Sequence, residues 1–212
     1  MSLITDRDLA VIEPSVFTAA AVAGTNLLTA IDAGVSGTTL TSATSDFAAP
    51  DIGFGHVVIF DSDVLEVVSR LATTQLEVSR PRAKVADDKI APPAASDKTI
   101  KINTFARLID LTQTNLLAAL GVEADDPVQP LTAGDILNPE PLARLLALRT
   151  LERAFGIALS LDPDNPSLEA RRAQYALLAG EAAATTAVLL DFDGDGEADE
   201  TRHLQVAVLR RT

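Results

Sequence analysis

The chain of 212 residues has no cysteine and no tryptophan, and only one tyrosine, one methionine and two histidines. Without cysteine it can build neither a disulfide framework nor a thiolate metal site, although this alone does not fix its compartment. Aromatic residues make up 4% of the chain while apolar residues make up 47%, so the core must be assembled from leucine, valine, isoleucine and alanine. Alanine-rich helices of this kind often complete their burial against a neighbour, which favours an oligomer. Positive charge is scarce. Seventeen Lys and Arg stand against thirty Asp and Glu, for a net charge of −13. Such a surface repels phosphate backbones and acidic membranes, and argues against dedicated nucleic-acid binding. No apolar run approaches the roughly 20 residues that a membrane span requires. Residues Met1 to Asp8 carry no basic region followed by an apolar stretch, so no secretory signal is expected.

Catalytic signatures are also missing. There is no G-x-S-x-G elbow, no Walker loop and no H-E-x-x-H. Gly53-Phe54-Gly55 is too short for a dinucleotide fingerprint and precedes a strand pattern. His56 is expected in a turn or at a strand edge, and His203 at the start of the final strand, paired locally with a carboxylate. The acid pairs Asp61 with Asp63, Asp87-Asp88 and Asp125-Asp126 sit in turn-like sequence, where solvation explains them better than acid-base chemistry. No enzyme is expected. No internal repeat of 20 to 50 residues is present, which excludes a solenoid.

The most informative stretch that is present runs from Asp191 to Glu200, with six carboxylates in ten residues. Asp191, Asp193, Asp195 and Asp199 occupy positions 1, 3, 5 and 9 of a calcium-loop pattern. Glu197 falls at position 7, where the backbone carbonyl ligates, and Gly196 at the sharp turn. Position 12 is Arg202 rather than a bidentate glutamate, and the flanks from Thr185 to Leu190 and from His203 to Leu209 read as strands rather than helices. The spacing resembles the inter-strand calcium loops of integrin-type propellers, but it occurs once. Two readings stand open: a β-hairpin loop that binds calcium, and an acidic solvated turn without metal.

The rest of the chain divides into three. In residues 1–103, Thr5 is a candidate N-cap for a helix through Ile12 that Pro14 stops, and a short apolar or helical segment spans Ser15 to Ala23. Five short strands follow, at Thr38 to Thr41, His56 to Phe60, Val64 to Arg70, Gln75 to Arg80 and Thr99 to Asn103, predicting a small antiparallel barrel or sandwich. Arg82 to Lys98 reads as an exposed loop. In residues 104–185, a helix bearing Phe105, Leu108, Ile109, Leu111, Leu116, Leu117 and Leu120 ends at Gly121, and an irregular Pro- and Gly-containing connection follows. Asn138 is a candidate cap for a second helix reaching Leu161, and a third runs from Ser167 to Ala184. The short link between these two implies an antiparallel helical hairpin. Residues 186–212 would form the C-terminal β-hairpin with the acidic loop. The fold class expected is α+β.

Arg144, Arg149 and Arg153 on the second helix, and Arg171 and Arg172 on the third, are candidate interface residues. Solvated ion pairs with Glu152 and Glu169 are the plainer reading of the same side chains.

Three stretches carry a family resemblance. They are Leu3-Ile4-Thr5-Asp6-Arg7-Asp8-Leu9 with Glu13-Pro14-Ser15-Val16-Phe17; Gly55-His56-Val57-Val58 with Leu65-Glu66-Val67-Val68-Ser69-Arg70; and Leu190-Asp191-Phe192-Asp193-Gly194-Asp195-Gly196 with Thr201-Arg202. Together they resemble structural proteins of the head-to-tail joining region of tailed phages. The resemblance implies a connector, or adaptor, subunit of the virion. Such a subunit forms a dodecameric ring under the portal, meets a neighbouring tail or stopper protein, and lets DNA pass without sequence-specific binding. The β-rich module of about 80 residues departs from the smallest adaptors, which are nearly all helical. A stopper, tail terminator, head decoration protein or calcium-dependent binding module are the alternatives.

Overall fold

A computed structural model describes residues 2–21, 25–122 and 131–204. The architecture is α+β: a closed six-stranded antiparallel barrel, five α-helices and a C-terminal strand pair. The barrel strands are β1 (Asn26–Ser36), β2 (Thr39–Ser42), β3 (Val57–Phe60), β4 (Asp63–Ala72), β5 (Gln75–Ser79) and β6 (Ala95–Asn103), closing in the order β1-β2-β5-β4-β3-β6. A barrel rather than a sandwich forms because β1 pairs with both β2 and β6 and leaves no free edge.

β1 is the strand that the sequence pattern does not reveal. Its pairing with β6 shifts register between Asn26 and Leu28, between Ala30 and Ala33 and again between Ala33 and Val35. These irregularities bend the strand around the barrel and break the alternation of apolar residues by which a strand is recognised. β6 likewise starts at Ala95, inside the segment read as an exposed loop.

Inside the barrel, Val35, Leu40, Val58, Phe60, Leu65, Val67, Leu76, Val78, Ile100 and Ile102 interdigitate, with Phe47 and Ile52 from the β2–β3 connection closing one end. On β3 the alternate residues Val57 and Ile59 point outward and belong to a second core. They pack there with α1 (Asp6–Ile12), α2 (Val16–Ala19), α3 (Ala106–Ala119), α4 (Pro139–Leu161) and α5 (Pro166–Thr185). All four β3 residues are therefore buried. The first helices, although they precede the barrel in sequence, contribute Leu9, Val16 and Phe17 to this helical core, and Phe17 meets Phe105 edge-on at 5.2 Å. α2 is shorter than the Ser15 to Ala23 segment, whose last two residues lie outside the described ones.

α1 begins where Asp8 reaches back to accept from the Thr5 backbone N–H at 2.8 Å and from its hydroxyl at 3.1 Å. Gly55, at φ +90°, lets the β3 turn approach this site: a Cβ there would lie 2.9 Å from the Thr5 methyl, and the Gly55 carbonyl accepts from Arg7 N at 2.9 Å.

Arg82 is not an exposed loop residue. It is 5% accessible, beside Arg7 at 4% and Glu66 at 0%. Glu66 stands between the inward-facing Leu65 and Val67 on β4, so it projects outward towards α1. Each of its oxygens takes one guanidinium: Oε2 accepts from Arg7 Nε and Oε1 from Arg82 Nε. Further donors meet carbonyls, with Arg7 Nη2 on Arg82 O at 2.6 Å and Arg82 Nη1 on Asp87 O at 2.7 Å and Val85 O at 3.1 Å, while Arg7 Nη1 meets the Asp8 carboxylate at 3.1 Å. Asp6, also buried, accepts from Phe105 N at 2.8 Å; burial raises its pKa, against the lowering effect of its hydrogen bonds to Thr104 and Phe105. Among the described residues no buried side-chain polar atom lacks a partner.

α4 carries its apolar stripe on Leu145, Leu148, Leu151 and Phe155, and α5 lies against it with Tyr175 stacked on Phe155 at 5.7 Å. Asn165 caps α5 with its side chain, accepting from Ser167 N and Leu168 N. Asn138 stands at the start of α4 but does not cap it. Its amide donates to Ala187 O at 3.0 Å and accepts from Leu189 N at 2.7 Å, tying β7 (Ala187–Leu190) to the helix. On α3 the buried face is Ile109 and Thr112, and Leu111, assigned to the apolar stripe by sequence, is 56% exposed. Asp125-Asp126 and Pro127 and Pro130 of the next connection lie outside the described residues.

Removing Glu66 takes the shared carboxylate from two buried guanidinium groups and leaves Arg82 with carbonyls and Arg7 with the partly exposed Asp8, so Glu66→Ala should cost about 3–5 kcal/mol of stability in urea denaturation. Amide protection of Arg80 and Ile90, whose loop the network anchors, should fall first in hydrogen exchange.

Candidate functional site

β7 pairs antiparallel with β8 (Glu200–His203), from Leu190 opposite Glu200 to Ala187 opposite His203. His203 therefore ends the paired strand rather than beginning it, because the loop closes as soon as Glu200 meets Leu190. The expected strand residues Gln205 to Leu209 lie outside the described residues. The pair is anchored by Val188 and Leu190, which are buried with Leu120, Val122, Leu131, Ile136 and Leu142.

Asp191 organises the loop between these strands. Its Oδ1 accepts from Gly194 N at 2.7 Å and its Oδ2 from Gly196 N at 2.8 Å, which depresses its pKa, the Gly196 bond contributing most. Asp193 accepts from Asp195 N and Asp195 from Glu197 N, each a local turn that hides a backbone donor. Gly194 and Gly196 hold φ of +77° and +85°, which the tight winding needs. Carboxylate oxygens of Asp191, Asp193 and Asp195 all lie within 4.8 Å of one another. These three could hold a metal ion, since each carboxylate retains lone pairs beyond its backbone bond. Glu197 and Asp199, the other candidate ligands, stand outside that group. Asp199 faces the strand end, accepting from Phe192 N at 2.7 Å and donating its own N–H to Leu190 O.

Arg202, where a calcium loop would have its last ligand, serves another purpose. Its Nη1 donates to Leu120 O at 2.9 Å and to Gly121 O at 2.8 Å, capping the C-terminal end of α3, and it pairs with Glu200 at 3.1 Å. The loop is thereby braced against α3. Nothing in the residue spacing signals this contact, which spans 82 positions in sequence.

The candidate interface arginines do not form a single patch. Arg171 pairs with Glu13, whose carboxylate also accepts from Tyr175 Oη, and lies over the Phe155 ring at 5.8 Å. Arg149 pairs with Glu152 at 2.8 Å, as the plainer reading expects. Arg144 is exposed in a groove that it shares with Glu140 and Glu181. Arg153 and Arg172 come together from α4 and α5 on a different groove of about 620 Å³, with Leu108, Leu111 and Ile157 among its lining residues. That apolar lining was hidden from sequence reasoning because Leu111 is spaced like a core residue. The ladder Ile109, Thr112, Leu116 and Leu120 is the signal that leaves it outside.

His56 accepts from Gly53 N at 3.3 Å through Nδ1, which also lies 3.1 Å from Gly53 O, and so closes the turn before β3. It sits with Asp6 on a small cleft but serves the turn.

The lowered pKa of Asp191 means that its ionised form is favoured by folding. This contribution is present above the unfolded value of about 3.9 and lost as pH falls below it through the folded pKa. Amide protection of Gly194 and Gly196 should therefore collapse on acidification below about pH 3.9, and Asp191→Ala should abolish it at neutral pH.

No known protein family, curated protein or solved structure matches this chain.

Proposed function

We propose that this chain is a structural virion protein, a head-to-tail connector subunit that forms a ring between portal and tail around the DNA channel. The observation that carries this is the distribution of charge on a clamped body with unlike ends. The carboxylate-rich β7–β8 loop is tied to the start of α4, while Arg153 and Arg172 stand near its far end. A ring subunit needs two different surfaces that complement each other between copies. The helical hairpin body of α4 and α5 would carry the inter-subunit contacts, and the barrel would act as a rigid extension towards the portal or the next tail or stopper protein.

The net charge of −13 suits a wall past which DNA slides without being held. No membrane is involved in this role, and no helix of the described residues is long and apolar enough to cross one. Native mass spectrometry of the purified chain mixed with its portal tests the assignment. A complex of portal with a dodecamer of this chain is expected; a chain that ignores the portal would remove the connector role.

Calcium binding at the loop is the second function that the geometry supports, on the convergence of Asp191, Asp193 and Asp195. Saturation at about 100 times Kd should stabilise the fold by about 2.7 kcal/mol. The corresponding rise in Tm should vanish in Asp193→Asn with Asp195→Asn. Magnesium, which demands tighter octahedral geometry, should give a smaller shift.

A further inference from the structure

We propose that the groove rimmed by Arg153 and Arg172 is the docking site for the acidic β7–β8 loop of a second copy of this chain. The groove presents apolar surface to solvent: Leu111 is 56% and Ile157 42% exposed. Among the described residues, no carboxylate neutralises its cations. Arg153 donates to the Thr112 hydroxyl at 3.1 Å, a neutral partner, and Arg172 forms no ion pair among the described residues. Among the described residues the one carboxylate on the groove, Glu152, is already held by Arg149 at 2.8 Å. On a chain of net charge −13, a groove with two uncompensated guanidinium groups is out of keeping with the surrounding surface and fits an acidic occupant.

The same chain supplies that occupant. From Asp191 to Asp199 the β7–β8 connection carries five carboxylates, and Phe192 within it is only half-buried, offering apolar surface beside the charge. Its backbone is already wound by the Asp191, Asp193 and Asp195 hydrogen bonds, so docking would order little further chain. The loop cannot reach its own groove. β7 is pinned to Asn138, whereas Ile157 lies about 28 Å further along α4 at the helical rise. The contact therefore joins unlike surfaces of two copies, head to tail, and repeats until it closes. This deepens the connector assignment and rests on it for closure into a ring of defined size, but the contact between copies needs no portal.

The test uses the full chain without portal, in chelated buffer at low ionic strength, followed by light scattering and native mass spectrometry. Wild type should associate, and salt should disperse it as the Debye length shrinks. Arg153→Glu with Arg172→Glu, and separately Asp193→Lys with Asp195→Lys, should each be monomeric while keeping the wild-type Tm within a few degrees. Arg172→Glu alone, which disturbs no internal ion pair, should weaken association at least tenfold. Mixing the two reversed variants restores opposite charges at every contact and should restore assembly. A monomeric wild type, assembly indifferent to both reversals, or a mixture that stays monomeric would each overturn the proposal. Loss of portal binding with intact self-association would instead remove only the connector assignment.

Discussion

The structure turns on one buried carboxylate. Glu66 is fully enclosed and shared by Arg7 from α1 and Arg82 from the connection after β5, so three distant parts of the chain are held to one point on the outer wall of the barrel. Burying an ion costs several kcal/mol, and that cost is offset only where geometry and the remaining hydrogen bonds are complete. Here they are met, because further guanidinium donors find the carbonyls of Arg82, Val85 and Asp87 and the carboxylate of Asp8. A hydrophobic contact would tolerate sliding between helix and barrel. Two forked guanidinium groups on one carboxylate do not, so the orientation of the barrel on the helices is specified by direction as well as by burial.

From that junction the cores follow. The barrel interior is filled by alternate residues of its strands, and the outward face of β3 is spent on the helical layer, so Val57 and Ile59 belong to one core and Val58 and Phe60 to the other. The third cluster, around Leu142, Val188 and Leu190, joins the C-terminal strands to the start of α4. Arg202 completes this connection by capping α3, which places the acidic loop on a braced support. The charged features thus stand on rigid elements at fixed separations, the condition that an assembly subunit with directional contacts must satisfy.

Much of the site was legible as residues but not as relations. The turn chemistry of Asp191 to Gly196 was visible because glycine at positive φ and aspartate beside backbone donors are local requirements. The division of its carboxylates into three that converge and two that do not follows from the short β7–β8 register, which closes the loop at Glu200 and turns Asp199 back onto the strand. The five arginines could be named from the sequence, and so could Glu152 beside Arg149, yet the distant partners could not. Glu13 and Arg171 are 158 positions apart, and Thr112 and Arg153 are 41. The groove itself depends on Leu111 facing away from the core, a matter of helix phase against a neighbouring helix.

By itself the sequence determined what short-range physics enforces: the start of α1 at Thr5, the β4–β5 pairing across Thr73-Thr74, the helices from their apolar period, and a strongly acidic surface. Tertiary structure alone decided the rest. It recruited the irregular β1 to close the barrel, because pairing on both sides compensates for the bulges that hide it in sequence. It buried Arg82, because a carboxylate opposite and the carbonyls of Val85 and Asp87 make an interior charge tolerable there. It also gathered Arg153 and Arg172 on one groove far from the acidic loop, since helix packing, not spacing along the chain, sets which side chains share a surface.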